Sequence, residues 1–277
     1  LFLFLFLYYP FVQNIINSFS DIIGLGAPAQ GLNDPWYINY ATLFTDPKLH
    51  TALVNTILLT VCTVIFQVGI ALILALLVDS IQVGAQVFRT LYFFPIVISA
   101  TALGLMFNLI FLYPSGMLNQ LLNNLGLAAR GIDWKDQKHF LFTMFAPVMW
   151  QYVGFYFVIL VTGLNNISLD LYEAASLDGC TGFNRVRYVT LPLLRNVLCT
   201  CLVLAITGSL KVFDLPWVMF GAGMPQDQGW LTGTYMYDQT FNRGNVDYGS
   251  AIAILIVVLG VLFSNIANRV FKPRNDI

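Results

Sequence analysis

The residues with the most informative spacing lie in a polar stretch, Leu171–Leu194, between two long apolar segments. Glu173, Ala174 and Ala175 stand together in it, and Gly179 follows after a gap of three residues. The carboxylate of Glu173 offers a charge to an arginine of a partner chain, and such a pair gains strength where water is excluded. The two alanines are small enough for a partner backbone to approach closely. The predicted chemistry is therefore recognition of a partner, not bond breaking.

A short helix is predicted to present these residues. Leu169–Leu177 has helical spacing, with Asp170 and Glu173 in its first turn, where the helix dipole favours acids. Gly179, with Gly182 as a second candidate, can adopt the positive φ that lets the chain reverse sharply. The sequence therefore predicts that the partner-binding helix ends in a tight turn.

A second short helix is predicted from about Thr181 to Thr190. It stops before Pro192, whose missing N–H suits the start of the next segment. The two helices would lie at an angle to each other at the membrane surface. The alternative is an ordinary amphipathic surface loop, in which Glu173 is solvated and Gly179 is a routine turn.

A second set of polar and aromatic side chains lies inside the apolar segments. Polar groups are costly there, so they indicate a solute pathway. Amides and hydroxyls can hydrogen-bond a sugar, and aromatic faces can pack against its C–H surfaces. The candidates are Gln151, Tyr152, Phe155, Tyr156, Ser209 and Lys211, with Asn55, Gln67 and Asn108 as further polar residues. The alternatives are helix packing, a hydrogen bond from Gln151 to a partner chain, and an i, i+3 ion pair between Lys211 and Asp214.

No site of covalent chemistry is recognisable. The phosphate-binding pattern Gly-x4-Gly-Lys-Ser/Thr is absent from the sequence, so the chain is not expected to be an ATPase or another enzyme. His50 and His139 have no companions at metal-ligand spacing, and neither does the Cys199/Cys201 pair. We therefore predict no catalytic residue, no metal site and no disulfide framework.

Composition places the chain in a membrane. Of its 277 residues, 58% are hydrophobic and only 10% are charged, against about 25% charged in a soluble domain. Mean hydropathy is +0.74, and the net charge of −1 gives no reason to expect nucleic-acid binding. We predict one integral domain over residues 1–277. Its six transmembrane helices are predicted at Leu1–Ile16, Leu53–Val78, Leu91–Leu112, Phe140–Leu164, Val197–Leu210 and Ala251–Asn268.

The distribution of basic residues predicts the orientation weakly. One side would hold Arg89, Arg185, Arg187, Arg195, Arg269, Lys272 and Arg274, and the other Lys48, Arg130, Lys135, Lys138 and Arg243. The richer side is expected to be cytoplasmic and to hold both termini. The outer loops would then be Asp21–Ala52, Tyr113–His139 and roughly Phe220–Asp247. The first span has no basic start or small-residue cleavage site, so we expect a truncated N-terminus instead of a signal peptide.

The spacing of the polar stretch resembles the EAA signature of permease subunits in ATP-binding-cassette (ABC) importers. Glu173, Gly179 and Pro192 all fall at that family's spacing. The chain is most similar to the carbohydrate-uptake, maltose-type branch, also over Asn39–Thr60 and Phe88–Phe111. Further similar stretches are Ser209–Pro225 and Tyr235–Ile256. One departure is GAGMP, residues 221–225, where the family usually has Gly-Gly-Pro.

The resemblance implies a type I ABC importer fold: all-α, with six spans and a cytoplasmic coupling loop at residues 165–195. It implies ATPase contact through Glu173, Ala174, Ala175, Asp178, Gly179 and Pro192. It also places a solute site on Gln151, Tyr152 and Phe155, and near Ser209 and Lys211. The implied partners are a second permease, two ATPase subunits that bind ATP and Mg, and an extracellular solute-binding protein that could dock on Trp230–Tyr248. The implied location is the bacterial cell membrane.

Two alternatives to a sugar importer remain open on the sequence. The same importer could carry a glycerophosphodiester or another polyol. A secondary transporter without an ATPase would instead need ion-coupling carboxylates inside the spans, where Asp214 is the one acid near a span interior.

Overall fold

A computed structural model of the chain describes residues 1–80, 84–127, 131–221 and 228–271. Arg130, Lys272 and Arg274, which entered the orientation argument, lie outside the described residues, as does Ala222–Pro225 of the departure from the family pattern. Within the described residues the chain is helical and forms no β-strand beyond two isolated bridges. The helices are α1 (Tyr9–Asn17), α2 (Ile38–Thr45), α3 (Pro47–Asp79), α4 (Ala85–Val97), α5 (Ala100–Ile110), α6 (Met117–Asn124), α7 (Phe140–Asn165), α8 (Leu169–Leu177), α9 (Gly182–Arg185), α10 (Arg195–Leu210), α11 (Asp214–Phe220), α12 (Thr232–Tyr237) and α13 (Val246–Phe271).

Several helices contain or adjoin π-helical turns. These turns are Phe4–Tyr8, Thr63–Val68 within α3, Val186–Thr190 after α9, and Asp238–Asn242 after α12. A further short helical piece, Leu191–Leu193, precedes α10. Such turns interrupt the regular i→i−4 ladder.

Within the described ranges, four helical stretches are long and apolar enough to cross a membrane. They are α3, α7, Arg195–Phe220 (α10 with α11) and Val246–Val270 of α13. These stretches coincide with four of the predicted spans. The predicted span Leu1–Ile16 corresponds to α1 and its preceding π-helical turn, which together are shorter than these four, so a sixth span stays a prediction.

The predicted span Leu91–Leu112 is not one straight helix. It consists of α4 and α5, which are bent by 94° at the break between them. Pro95 lies in the last turn of α4, and Ile98 is extended, with ψ of 135°. Because proline lacks an N–H and crowds the preceding turn, it favours a helix end at this position. The pair counts as a fifth span if the two helices cross the membrane together.

The helices group into two compact units. Unit 1 comprises Leu1–Leu59, Ala100–Met144 and Ser209–Val261, and unit 2 comprises Thr60–Ser99, Phe145–Gly208 and Leu262–Ile277. In unit 1, Gly104 of α5 lies against Val218 of α11, so the two helices approach closely. In unit 2, a buried core includes Val68, Ala71, Phe157, Leu160 and Leu194. Unit 2 also contains the predicted partner-binding helices.

Two polar residues of α3 are satisfied inside the protein. In unit 1, the Asn55 side chain donates to the carbonyls of Gln228, at 2.6 Å, and Trp230, at 2.9 Å. In unit 2, the Gln67 side chain donates to the Val148 carbonyl at 2.8 Å. Because a buried amide without a partner is costly, these bonds give both residues a structural role.

Candidate functional site

Helix α8 carries Glu173 and has well-formed ends. At its start, the Ser168 hydroxyl accepts the backbone N–H of Asp170 at 3.3 Å. Serine is a favoured residue at this position because its oxygen satisfies an N–H that the helix leaves free. Asp170 in the first turn adds a favourable interaction with the helix dipole.

The end of α8 is a Schellman motif, the two-bond reversal that commonly closes a helix. The Cys180 N–H donates to the Ala175 carbonyl at 2.8 Å, and the Gly179 N–H to the Ser176 carbonyl at 3.1 Å. Gly179 has φ of +76°, the left-handed conformation that glycine adopts without a steric penalty. The predicted turn at Gly179 is therefore present, and Gly182 also has positive φ, +56°.

Tyr172 connects α8 to the turn that follows α9. The Thr190 hydroxyl donates to the Tyr172 hydroxyl at 3.4 Å, and the Arg185 guanidinium carbon lies 5.2 Å from the centre of the Tyr172 ring. Tyr172 directly precedes Glu173, but nothing in the residue spacing distinguishes it from its neighbours. These two contacts link α8 to α9 and to the turn that follows it.

The surface of this helical pair is open. Glu173, Ala174, Asp178 and Gly179 are exposed, and Ala175 is partly buried. The Glu173 carboxylate makes no hydrogen bond or ion pair within the described residues. Two large apolar side chains are also strongly exposed: Leu177 at 91% and Phe183 at 75%. An unpaired acid beside exposed apolar groups is a surface suited to a protein partner.

The chain leaves this pair through Pro192 and enters α10, which is attached to the end of α13. An Arg195 side-chain nitrogen donates to the Val270 carbonyl at 3.3 Å, and the Cys199 thiol to the Asn268 side-chain oxygen at 3.4 Å. Arg195 belongs to α10, but its side chain lies at the C-terminal end of α13. A positive charge there interacts favourably with the last carbonyls and with the dipole of that helix. All four cysteines of the chain are free thiols.

Gly179→Ala is expected to weaken the turn through the backbone alone. A Cβ at this position would meet no atom within 4 Å, so the cost is the left-handed conformation, about 1–2 kcal/mol. Hydrogen exchange of the Cys180 amide should accelerate by about tenfold, because about 1.4 kcal/mol corresponds to that factor. Gly179→Asn should have a smaller effect, since asparagine tolerates this conformation.

The matched control for this prediction is Gly208→Ala. Gly208 lies in α10 with an ordinary helical backbone, and no atom lies within 4 Å of the position that its Cβ would occupy. Exchange at Cys180 should be unchanged in this control. An unchanged rate in Gly179→Ala as well would contradict the role assigned to the glycine.

The candidate pathway residues of α7 divide into buried and exposed groups. Gln151 is 5% exposed, and its amide makes no hydrogen bond within the part of the chain that the structure describes. Tyr152 is 38% exposed. Phe155 is partly buried, and Tyr156 belongs to the buried core of unit 2, with its ring 5.3 Å from that of Phe155. Gln151 and Tyr152 are therefore better placed than Tyr156 to meet a solute.

The candidates in unit 1 lie at the break between α10 and α11. Ser209 is buried, whereas Lys211 and Asp214 are exposed. Lys211 and Asp214, both described by the structure, form no ion pair with each other. The alternative that they are an i, i+3 ion pair holding a helix end therefore has no support here. Among the described residues, no group of three His, Cys, Asp or Glu side chains is arranged to hold a metal ion.

The fold is that of a helical membrane protein with an exposed pair of short helices, α8 and α9. Residues 67–277 match the family described as "binding-protein-dependent transport system inner membrane component". The chain belongs to this family of membrane transport subunits.

Curated relatives and solved structures agree with this assignment. The probable ABC transporter permease protein YurN of Bacillus subtilis is 30% identical over 98% of this chain and 93% of its own length. The arabinooligosaccharides transport system permease protein AraP of Halalkalibacterium halodurans is 29% identical over 91% and 78%. A bacterial ABC transporter involved in the import of the acidic polysaccharide alginate has the same fold. Its TM-score is 0.83 at 22% identity, over 98% of this chain and 91% of that one.

Proposed function

We propose that the chain is the transmembrane permease subunit of a bacterial ABC importer that moves a sugar or oligosaccharide inward by ATP-driven alternating access. The observation that carries the proposal is the exposed α8–α9 pair, which presents Glu173 inside a region that matches the transport family. The cargo is supported by relatives named for arabinooligosaccharides, lactose and multiple sugars.

The α8–α9 pair is the coupling element, within residues 165–195 of a single permease domain that spans 1–277. Its apolar side chains Leu177 and Phe183 dock on a partner ATPase, and Glu173 pairs with a basic residue there. Ala174, Ala175, Asp178 and Gly179 complete the contact surface. ATP and Mg are held by the two ATPase subunits, and this chain contributes no cofactor site.

Movement of the pair reaches the membrane helices through covalent and packing connections. Tyr172 and Thr190 keep the two short helices together, and Pro192 leads directly into α10. Arg195 and Cys199 then connect α10 to the end of α13. A displacement imposed by the ATPase therefore moves α10 and the end of α13 together, as alternation between two arrangements requires.

The proposed solute contacts of unit 2 lie on α7. Gln151 supplies an amide without an internal partner among the described residues, and Tyr152 and Phe155 supply aromatic surface. Tyr156 supports Phe155 from the buried core of unit 2. In unit 1, Ser209 and Lys211 are proposed separately as solute contacts. An amide without an internal hydrogen bond is free to form one with a solute hydroxyl.

The proposed orientation places the coupling pair and both termini in the cytoplasm, because the ATPase and its nucleotide are there. Six spans cross the cell membrane. A second, similar permease completes the pathway, and an extracellular solute-binding protein delivers the cargo on the outer side. The segment Trp230–Tyr248, which the sequence offered as its docking loop, is largely helical and includes buried residues such as Trp230 and Tyr235, so it contributes only through its exposed residues, such as Phe241.

The test is purification of the full chain with its binding protein, second permease and ATPase, followed by reconstitution into vesicles. The ATPase should remain bound, and sugar uptake should require both ATP and the binding protein. Uptake driven by an ion gradient without ATP would overturn the proposal in favour of a secondary transporter. ATP-driven uptake of a glycerophosphodiester or another polyol, with none of sugars, would overturn the cargo alone.

A further inference from the structure

Helix α2 lies immediately before the membrane-spanning helix α3, and one of its edges is fixed to the protein. Asn39 is 6% exposed, and its side-chain amide donates to the Ser18 carbonyl at 3.2 Å and to the Asp247 carboxylate at 2.9 Å. Leu43 is also buried on this edge. These contacts, all within unit 1, determine which edge of α2 faces away from the protein.

Asp46 fixes the corner between α2 and α3. One of its carboxylate oxygens accepts the hydroxyls of Tyr235, at 2.6 Å, and Tyr248, at 2.7 Å. The other accepts the backbone N–H of Lys48 at 2.9 Å. Burial alone would raise the pKa of Asp46, but these hydrogen bonds outweigh it and lower the pKa below its ordinary value of 3.8. The carboxylate is therefore charged at neutral pH and holds the corner, so α2 cannot roll freely about its axis.

The opposite edge of α2 is aromatic and open. Trp36 is 59% exposed, Tyr37 50% and Phe44 81%. At about 100° per residue, Tyr37 and Phe44 lie within about 20° of each other around the helix axis, on the side away from Asn39 and Leu43. Trp36 precedes the helix, and its ring lies 5.7 Å from that of Phe19 and 5.6 Å from that of Tyr37. Helix α2 therefore has a fixed inner edge and, at Tyr37 and Phe44, an exposed aromatic outer edge.

Helix α2 directly precedes α3, which is long and apolar enough to cross a membrane. That helix begins at Pro47, two residues after α2 ends, and its exposed apolar residues start one to two turns further on. They include Val54, Ile57 and Leu58. Tryptophan and tyrosine are enriched where a membrane meets water, because their rings are apolar with a polar group at one end.

The charges nearby indicate how such a contact would be held. Residues 1–47 contain no lysine or arginine, whereas Asp21, Asp34 and Asp46 are acidic. Lys48 follows directly, but the three acidic side chains outnumber its single positive charge. Burial of the aromatic side chains is therefore the main available driving force. We propose that α2 is an interfacial anchor, whose Trp36, Tyr37 and Phe44 insert into the headgroup region of the bilayer beside the start of α3.

The experiment uses the full chain in its assembled complex, with the four native cysteines replaced by serine or alanine. A nitroxide spin label is attached at Phe44→Cys, or at Gln30→Cys as the matched control, since Gln30 is an exposed polar residue of the same connecting segment. The complex is reconstituted in phosphatidylcholine, or in equal parts of phosphatidylcholine and phosphatidylglycerol. Collisions with oxygen, which concentrates in lipid, and with a water-soluble nickel chelate are then compared.

The label at position 44 should collide mainly with oxygen, and the label at position 30 mainly with the nickel chelate. The result should be the same in both lipid compositions. Equal nickel access at the two positions would mean that water covers the edge, and would overturn the proposal. Exclusion of both reagents at position 44 only after the binding protein is added would mean that a protein covers it, and would also overturn the proposal.

A second measurement leaves the cysteines intact. Brominated phosphatidylcholine quenches tryptophan fluorescence on contact, so the quenched signal should fall in Trp36→Phe relative to the unmodified chain. An identical quenched signal in the two proteins would place Trp36 away from lipid and overturn the anchor. If the proposed importer function were wrong, both measurements would still test the anchor, because they report only contact with the membrane.

Discussion

Glu173→Lys is expected to abolish both sugar uptake and the stimulation of ATPase activity by the binding protein. Glu173 is exposed and makes no ion pair within the described residues, so the folded chain should tolerate the change. At the interface, removing one member of a desolvated charge pair costs about 2–5 kcal/mol. A lysine adds repulsion against a basic partner. The affinity for the ATPase should therefore fall by about 30-fold or more.

The control for this change is Asp170→Lys. Asp170 is also exposed on α8, and its replacement alters the net charge by the same amount. It should lose only the first-turn dipole interaction, about 0.3–1 kcal/mol. Transport and ATPase assays in reconstituted vesicles, together with pull-down of the ATPase, compare the two variants. Equal losses in both would show that charge on α8, not the position of Glu173, is what matters.

Local signals predicted the α8–α9 pair well. The predicted helix Leu169–Leu177 has the bounds of α8, and Gly179 has the positive φ that its position required. The second predicted helix, Thr181–Thr190, is present as α9 followed by a π-helical turn. These features depend on residues within a few positions of each other, such as a serine cap and a glycine after the last turn. A single sequence contains that information in full.

The bend between α4 and α5 could not be predicted from the residues around it. Pro95 and Pro147 both interrupt apolar stretches, yet α7 continues through Pro147 over 26 residues, whereas α4 ends two residues after Pro95. The hydropathy of the two stretches gives no sign of this difference, because the outcome at each proline depends on the contacts that surround it in the fold.

The candidate pathway shows the same limit. Asn55, Gln67 and Gln151 are equally polar residues in apolar stretches, and the sequence gives no means of ranking them. The structure separates them by their partners: within the described residues, Asn55 and Gln67 donate to backbone carbonyls, and Gln151 does not. Which amide is available to a solute is thus decided by tertiary contacts between distant segments.

The close approach of α4 and α7 leads to the second large expected effect, that of Gly154→Ala. A Cβ at position 154 would overlap the carbonyl oxygen of Tyr92 and lie 2.6 Å from its carbon and 3.0 Å from the Cα of Phe93. These are backbone atoms of α4, so no side-chain rotation can relieve the overlap. Small residues at such contacts let membrane helices approach closely. Overpacking costs about 1–3 kcal/mol of stability. Because the overlap here is with backbone atoms, the loss of stability in Gly154→Ala should lie at or above the upper end of that range.

The measurement is thermal unfolding of the purified chain in detergent, with uptake by the reconstituted complex as a second readout. Gly154→Ala should lower the Tm by several degrees and reduce uptake, because Phe155 and Gln151 lie within one turn of the clash. Gly69→Ala is the matched control: Gly69 also lies inside a long helix of unit 2, but a Cβ there would meet nothing within 4 Å. Since alanine is the better helix former, by up to about 1 kcal/mol, Gly69→Ala should leave the Tm unchanged or raise it. If the two variants unfold at the same temperature, then α4 and α7 do not pack through their backbones at Gly154.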